Sequence, residues 1–288
     1  MKLGIGTVQF GLPYGIANAG AICTDNELNS ILMLAHSNHL KIIDTAPGYG
    51  NAERRLGKSG LTSNFNIVSK IEHLEDDDEA AMKRQGIELI ERSIVELCVQ
   101  RLYGVICHDP KALVTEDGFK TLAVLEHIKA KNMCKKIGVS IYEVEDVSRI
   151  IRQGGIDLVQ LPLNLFDQRF LTSGALAVLK ANGIEIHIRS AFLQGLLLMP
   201  LDKVKIKKPE AYQAMLRLHQ FSDDVNLTPL ELSMHFIQSI AEVDHIIVGA
   251  TNTRQLQEII TAMETDIASL DYGHLSVNEL AIIDPRKW

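Results

Sequence analysis

The feature that most constrains this chain is a recurrence. Short apolar runs lie at Leu3 to Val8, Lys41 to Asp44, Phe65 to Lys70, Tyr103 to His108, Lys136 to Ser140, Leu158 to Pro162, Ile184 to Arg189 and His245 to Gly249, eight in all. Most are rich in Ile and Val and lack strict polar alternation, the pattern of parallel strands covered on both faces. Helical spacing fills the gaps. Thr24 and Glu27 form a T-x-x-E capping box ahead of the apolar face Leu28, Ile31, Leu32, Leu34 and Ala35. Similar spacing recurs at Ala80 to Cys98, Gly118 to Ala130, Val144 to Arg152, Leu171 to Ala181 and Gln255 to Met263. Strand then helix, eight times over, predicts an α/β fold: a single (β/α)8 TIM barrel over residues 1–288.

Two stretches exceed the repeat. More than fifty residues separate the seventh and eighth strands, with a basic loop at Lys203, Lys205, Lys207 and Lys208 and helices near Glu210 to Phe221 and Pro229 to Ile240. The second of these opens with Thr228 as cap, Pro229 in the first turn and Glu231 closing a capping box. A tail from Asp266 to Trp288 follows the last helix, and its Leu270, Tyr272, Leu275, Leu280 and Ile283 predict that it packs on the barrel. No Gly/Ser linker or large charge block marks a domain boundary; Glu75 to Glu79 reads as a short solvated acidic loop.

Composition narrows the partners. A formal charge of -7 provides no basic face for a phosphate backbone, which argues against nucleic acid and against anionic membranes. The N-terminus does not read as an export signal and no stretch of 18 apolar residues occurs, so a cytoplasmic protein is expected. Cys23, Cys98, Cys107 and Cys134 lie far apart without a C-x-x-C pair and are assigned packing roles as reduced thiols.

In such barrels the active site lies at the C-terminal ends of the strands, so polar residues closing a strand matter most. Asp44 closes the second strand, Lys70 the third and His108 the fourth, while Tyr49 sits five residues past Asp44 in the turn Ala46-Pro47-Gly48-Tyr49-Gly50. All four converge on one rim. A carbonyl that receives hydride builds alkoxide character and needs a donor nearby. A phenol is sluggish in that role until a cation lowers its pKa; Lys70 can be that cation, and Asp44 keeps the lysine charged. His108 can hold the carbonyl oxygen by hydrogen bonding. Singly, each residue also has a bland use as a cap, a turn former or a solvated charge.

The segment Ile43-Asp44-Thr45-Ala46-Pro47-Gly48-Tyr49-Gly50-Asn51-Ala52-Glu53, followed by Leu56-Gly57, resembles the D-T-A-x-x-Y-G-x-x-E-x-x-L-G signature of the aldo-keto reductases. The resemblance continues through Ser69-Lys70, Cys107-His108-Asp109, Ile137-Gly138-Val139-Ser140, Val159-Gln160, Gln194-Gly195-Leu196-Leu197 and Val248-Gly249-Ala250. It implies Tyr49 as proton donor, tuned by Lys70 and Asp44, with His108 orienting the carbonyl. It further implies a nicotinamide dinucleotide, NADP(H) with NAD(H) as the alternative, bound without a G-x-G-x-x-G motif. Ser140 and Gln160 match positions that hold the carboxamide, and Gly6 and Thr7 lie at the end of the first strand beside it. Ser190 to Leu196, including Phe192, Gln194 and Gly195, match the loop over the pyrophosphate. Gly249, Thr251, Thr253, Gln255 and Glu258 match the segment around the adenosine and its 2′-phosphate, where a helix N-terminus offers backbone N–H groups.

The chain departs from the family's pattern in places. It begins on the first barrel strand, without the hairpin often found before it. Ile141 and Ile259 stand where Asn is usual, and Gln255 stands where some members have Arg, with Arg254 one place earlier. Arg189 occupies the position of an aromatic residue beneath the nicotinamide, where its charge would penalise the oxidised cofactor. Phe10 and Tyr142, with Tyr14 and Phe192, are expected at the substrate entrance. The stretch Leu161 to Arg169 is similar to reductase-like proteins associated with bacterial surface-polysaccharide synthesis, which implies a keto-sugar substrate. Two other classes compete. A metal-dependent barrel hydrolase is opposed by a first strand that ends Gly6-Thr7-Val8-Gln9 without His, and by His187 being followed by Ile188 and Arg189, so no metal site is expected. A redox-sensing or interaction subunit is opposed by the intact tetrad.

Overall fold

Eight parallel strands close on themselves in sequence order in the computed structural model of the protein, which describes all residues except 19, 21, 73, 75–77 and 115–117. They are β1 (Leu3–Gly6), β2 (Ile42–Asp44), β3 (Asn66–Ile71), β4 (Leu102–Cys107), β5 (Cys134–Ser140), β6 (Leu158–Pro162), β7 (Glu185–Arg189) and β8 (His245–Gly249). Closure is made by β1, which pairs with β2 on one side and β8 on the other. The fold is the (β/α)8 TIM barrel that the alternation predicted. Residues 75–77 of the acidic loop lie outside the described residues.

The strands read as apolar because both of their faces are covered. Ile42, Val68, Ile106, Leu158 and Ile247, one from each of five strands, fill the lumen as a separate cluster. The larger cluster packs the opposite faces of the strands against the helices. Gly4 shows how full the lumen is, since a Cβ there would lie 2.9 Å from Ile247 Cδ1 and 3.0 Å from Ile42 Cβ.

Several local expectations change. The first run ends as a strand at Gly6, and Val8–Gly11 is a single helical turn. Thr24 does cap the helix Asp25–Ser37, accepting from the Glu27 N–H at 3.2 Å. Only half of the predicted box forms there, because the Glu27 carboxylate accepts instead from the backbone N–H and hydroxyl of Thr253, at 2.9 and 2.8 Å. The predicted helix Leu171 to Ala181 is two helices, Arg169–Thr172 and Ala175–Ala181, divided at Gly174, whose φ of 76° is the left-handed conformation that glycine tolerates. The basic stretch is no loop but the helix Leu201–Lys207, which buries Val204 and leaves its lysines on the outside. At Thr228 and Glu231 the full capping box is present.

The tail packs on the barrel as expected. Leu275 and Ile283 are buried, the Val277 N–H donates to the Phe166 carbonyl at 2.9 Å, and Gln168 Nε2 donates to the Tyr272 carbonyl at 2.9 Å. Three cysteines are buried and fit packing roles; Cys98 is exposed, in a left-handed conformation closing the helix Glu79–Leu97, and packs nothing. Among the described residues no helix is long and apolar enough to cross a membrane.

Candidate active site

A cleft of about 750 Å³ opens at the C-terminal ends of the strands, within the range of small-molecule sites. Asp44 at the end of β2, Lys70 near the end of β3 and His108 just past β4 meet at its base. Lys70 is fully buried and Asp44 nearly so. The Lys70 ammonium donates to Asp44 Oδ1 at 2.6 Å and to the Thr45 carbonyl at 2.9 Å. Asp44 is satisfied from a second side by Gln160 Nε2 at 2.8 Å. An ion pair this deep holds only while both partners remain; removing one typically costs about 3–5 kcal/mol.

Tyr49 is placed by glycine contacts. A Cβ on Gly11 would lie 1.8 Å from the Tyr49 carbonyl oxygen, and Gly50, at φ 61°, lies so close that its Cβ would be 2.6 Å from the Gly11 carbonyl. Only glycines permit this approach of two backbones. Arg55 ties the same region together by donating to the Phe10 and Cys23 carbonyls and to Asp25. The Tyr49 ring thereby sits with Lys70 Nζ 4.9 Å from its centroid and with the His108 ring edge-on, centroids 6.3 Å apart at 82°.

The electrostatics of this group oppose one another. Burial raises the Tyr49 phenol above its ordinary value, while Lys70 pulls it the other way. Burial works to lower Lys70, yet Asp44 and Tyr49 together hold it above the usual lysine range, so it stays an ammonium. Burial and the nearby Lys70 charge lower His108 to about 4, leaving a neutral imidazole at pH 7. Behind Lys70, the signature's Glu53 is buried and accepts from Ser69 Oγ at 2.6 Å and Ser93 Oγ at 2.9 Å; burial raises its carboxyl.

Most of the residues expected to hold a dinucleotide line this cleft: Gly6, Thr7, Gln160, Arg189, Ser190, Phe192, Gln194, Gly195, Gly249, Thr251, Gln255 and Glu258, as do Tyr142 and Tyr14, expected at the substrate entrance. Four do not. Phe10, expected at the entrance, is completely buried, because its helical turn points it into the core. Leu196 is likewise buried, turned inward beneath the loop after β7. Thr253 is engaged by Glu27, and Ser140 is covered by Arg189, which donates to it at 3.3 Å. The Arg189 guanidinium also donates to the Ile141 carbonyl at 2.9 Å and stacks 3.8 Å from the Tyr142 ring centroid. Arg286 of the tail flanks that ring at 3.7 Å and is itself bonded to Glu143 and Asp284.

The loop after β7 carries backbone strain over the cleft. Ser190, Leu193 and Gln194 adopt φ of 59°, 48° and 56° beside Gly195 at 89°, and non-glycine residues held this way cost of order 1–3 kcal/mol each. Asn164 Nδ2 fixes the loop by donating to the Ser190 carbonyl at 3.1 Å. Opposite, Gln9 packs on Gly249, where a Cβ would meet its amide at 2.5 Å, and Gln9 Oε1 is buried with no partner. A long cleft with a charged base, a strained loop and an unsatisfied amide fits an elongated polar guest such as a dinucleotide.

The profile of the aldo/keto reductase family matches residues 2–276. The chain belongs to that family. An NADH-specific methylglyoxal reductase of Escherichia coli (strain K12) is 23% identical, over 94% of this chain and 92% of the relative. A D-threo-aldose 1-dehydrogenase of a Pseudomonas species is 24% identical, over 86% and 87% of the two chains. Among solved structures, an aldo-keto reductase of Bacillus halodurans superposes with a TM-score of 0.76 over 100% of this chain and 95% of its own, at 15% identity, and so shares the fold.

This aldo/keto reductase contains site features that sequence reading missed. Glu27 was read only as half of a helix cap, yet its carboxylate takes the N-terminus of the last helix. Arg286 lies in a tail read only as packing. Gln9 was noted only for not being His. Each contact joins segments far apart in the chain, and no local spacing signals it.

Proposed function

We propose that this aldo/keto reductase reduces a small oxygenated aldehyde or ketone, a keto-sugar among them, with Tyr49 as proton donor, and that it prefers NADH to the NADPH expected from sequence. The observation carrying the reading is the buried Asp44–Lys70 pair, 2.6 Å apart, held 4.9 Å beneath the Tyr49 ring. When bound, a reduced nicotinamide dinucleotide supplies the hydride.

The chain's own residues do the rest. As negative charge builds on the carbonyl oxygen, the phenol of Tyr49 gives up its proton, and Lys70 stabilises the phenolate left behind. Asp44 keeps Lys70 charged where burial would neutralise it. Neutral His108 orients the carbonyl without adding a further charge beside Lys70 and Arg189. Gly6, Thr7, Gln160, Ser190, Phe192, Gln194, Gly195, Gly249, Thr251, Gln255 and Glu258 would hold the dinucleotide along the cleft. For Ser140 to contribute, Arg189 must swing off it.

The coenzyme preference rests on charge at the far end. Glu258 lines the cleft, Glu27 takes the Thr253 N–H, and Arg254 is bonded to Glu258 at 2.8 Å. Two carboxylates disfavour a dianionic 2′-phosphate and suit a ribose hydroxyl, which can donate to them. The E. coli relative is named for NADH specificity, which supports the same reading. A cytoplasmic location belongs to the same proposal, since an exposed thiol such as Cys98 would stay reduced there.

The test is coenzyme oxidation with methylglyoxal and a panel of sugar aldehydes and ketones. Tyr49→Phe should lose about 10²–10⁴ of turnover and still bind NADH; a variant that keeps its turnover refutes the mechanism. Tighter binding of NADPH than of NADH refutes the coenzyme assignment.

A further inference from the structure

The lumen ends, away from the cleft, in a second cluster of ionisable side chains. Glu185 opens β7, His187 follows two positions on, and His245 opens β8, where it is in register with His187. Strand alternation puts Glu185 and His187 on the same face as Arg189, that is, inside the barrel. Glu185 Oε1 lies 2.7 Å from His187 Nε2 and 4.0 Å from His245 Nε2. The two imidazoles meet edge to face, with centroids 4.9 Å apart. One nitrogen of each ring and one Glu185 oxygen all lie within 4.8 Å of one another. Tyr103 donates to the same carboxylate at 2.9 Å, and Lys136 is bonded to it.

Branched aliphatic side chains normally fill this layer of a TIM barrel. Here His245 Nε2 stands 4.0 Å from Glu185, too far for a hydrogen bond, and His187 Nδ1 and His245 Nδ1 are buried without a partner, so the cluster's own bonds leave ring nitrogens unpaired. Burial opposes ionisation of Glu185, but bonds from His187 and Lys136 hold its carboxyl well below the usual range.

We propose that Glu185, His187 and His245 form a site for one divalent transition-metal ion, zinc being the best match, which ties β7 to β8 at the barrel floor. Two imidazoles and a carboxylate are a recurrent zinc donor set, and tetrahedral zinc spaces its ligand atoms by roughly 3.3 Å. The separations of 2.7 and 4.0 Å bracket that value. Small rotations of the side chains suffice. Zinc on His187 Nε2 moves the proton that this nitrogen shares with Glu185 to Nδ1 of the same ring. Lys136, whose side chain is 31% exposed, can turn to solvent, while Tyr103 continues to orient the carboxylate. A fourth position is left for water. Glu185 and His187 meet His245 only through strand register, so no linear motif announces the set.

The test uses the full chain, stripped with chelator and titrated at neutral pH with zinc by calorimetry and with cobalt(II) by visible absorption. One equivalent should bind, with tetrahedral-type cobalt bands that lack a thiolate charge-transfer component, and zinc should raise the melting temperature. Glu185→Gln and His245→Gln should each abolish tight binding, Tyr103→Phe should weaken it about tenfold, and Lys136→Met should strengthen it. Absence of both signals from the unaltered protein overturns the proposal. So does binding that survives Glu185→Gln and His245→Gln together, or a thiolate band, which would place the ion on exposed Cys98. The readings on the unaltered chain decide the matter even if a variant does not fold.

Discussion

At its C-terminal rim the barrel holds Asp44, Lys70, Tyr49 and His108; at its floor it holds Glu185, Lys136, Tyr103 and the pair His187 and His245. Each end combines a carboxylate, a lysine, a phenol and imidazole, yet the two offer different chemistry. At the rim the lysine is fully buried, and the phenol lies over it and faces a cleft of about 750 Å³. At the floor the lysine is partly exposed and the phenol already donates to Glu185 at 2.9 Å. On the proposed mechanism a proton on Tyr49 passes to a guest, whereas Tyr103 donates to its neighbour Glu185. Composition of a cluster does not define its reactivity; the partner of each proton and access to space do.

The largest expected effect separates the two lysines. Lys70→Met should cut turnover by about 10²–10⁴ and leave Asp44 buried without its cation, whereas Lys136→Met should cost turnover far less. Steady-state kinetics and thermal melting of the two variants check this, and equal losses would erase the distinction between rim and floor.

A second test sharpens the rim. His108, among Lys70, Asp44, Arg189, Asp109 and Glu72, has its folded-state pKa lowered to about 4 from the ordinary histidine value of 6.5. The folded state therefore binds fewer protons than the unfolded state between those values. The stability this contributes is complete above pH 6.5 and is lost as pH falls toward 4. Melting curves across this window should show a fall in midpoint that is shallower in His108→Gln; identical slopes would remove the burial argument. Over the same window the reduction rate should show no step belonging to His108.

The smallest expected effect concerns Arg189, which covers Ser140 and stacks on Tyr142. A guanidinium near an oxidised nicotinamide ring disfavours it by ~1 kcal/mol after screening, roughly a fivefold bias. Arg189→Met should tighten oxidised coenzyme relative to reduced by about that factor, as read from the two dissociation constants. Equal changes for both forms would place the arginine on the phosphates.

Much of this was legible in the sequence because it is local. Strand-length apolar runs separated by capped helical segments specify a barrel through burial on two faces, and the rule that polar strand ends form the rim gathered Asp44, Lys70 and His108. The D-T-A-x-x-Y-G pattern added Tyr49, and its Gly50 is what allows the turn to approach Gly11. Boundaries shifted where one residue overrode periodicity, as at Gly174. Phe10 was misplaced because a single helical turn after β1 reverses which way it points.

The sequence by itself determined the order of strands, the family and the residue types at the rim. Tertiary structure alone decided where long side chains spend their charges. Glu27 reaches the last helix instead of its own cap, Arg189 lies on Tyr142 with Arg286 across the ring, and Glu185 meets His187 and His245 on the floor. The physical reason is range: backbone pattern and caps act within a few residues, whereas a buried charge must find its partner wherever closure of the barrel brings one within about 3 Å.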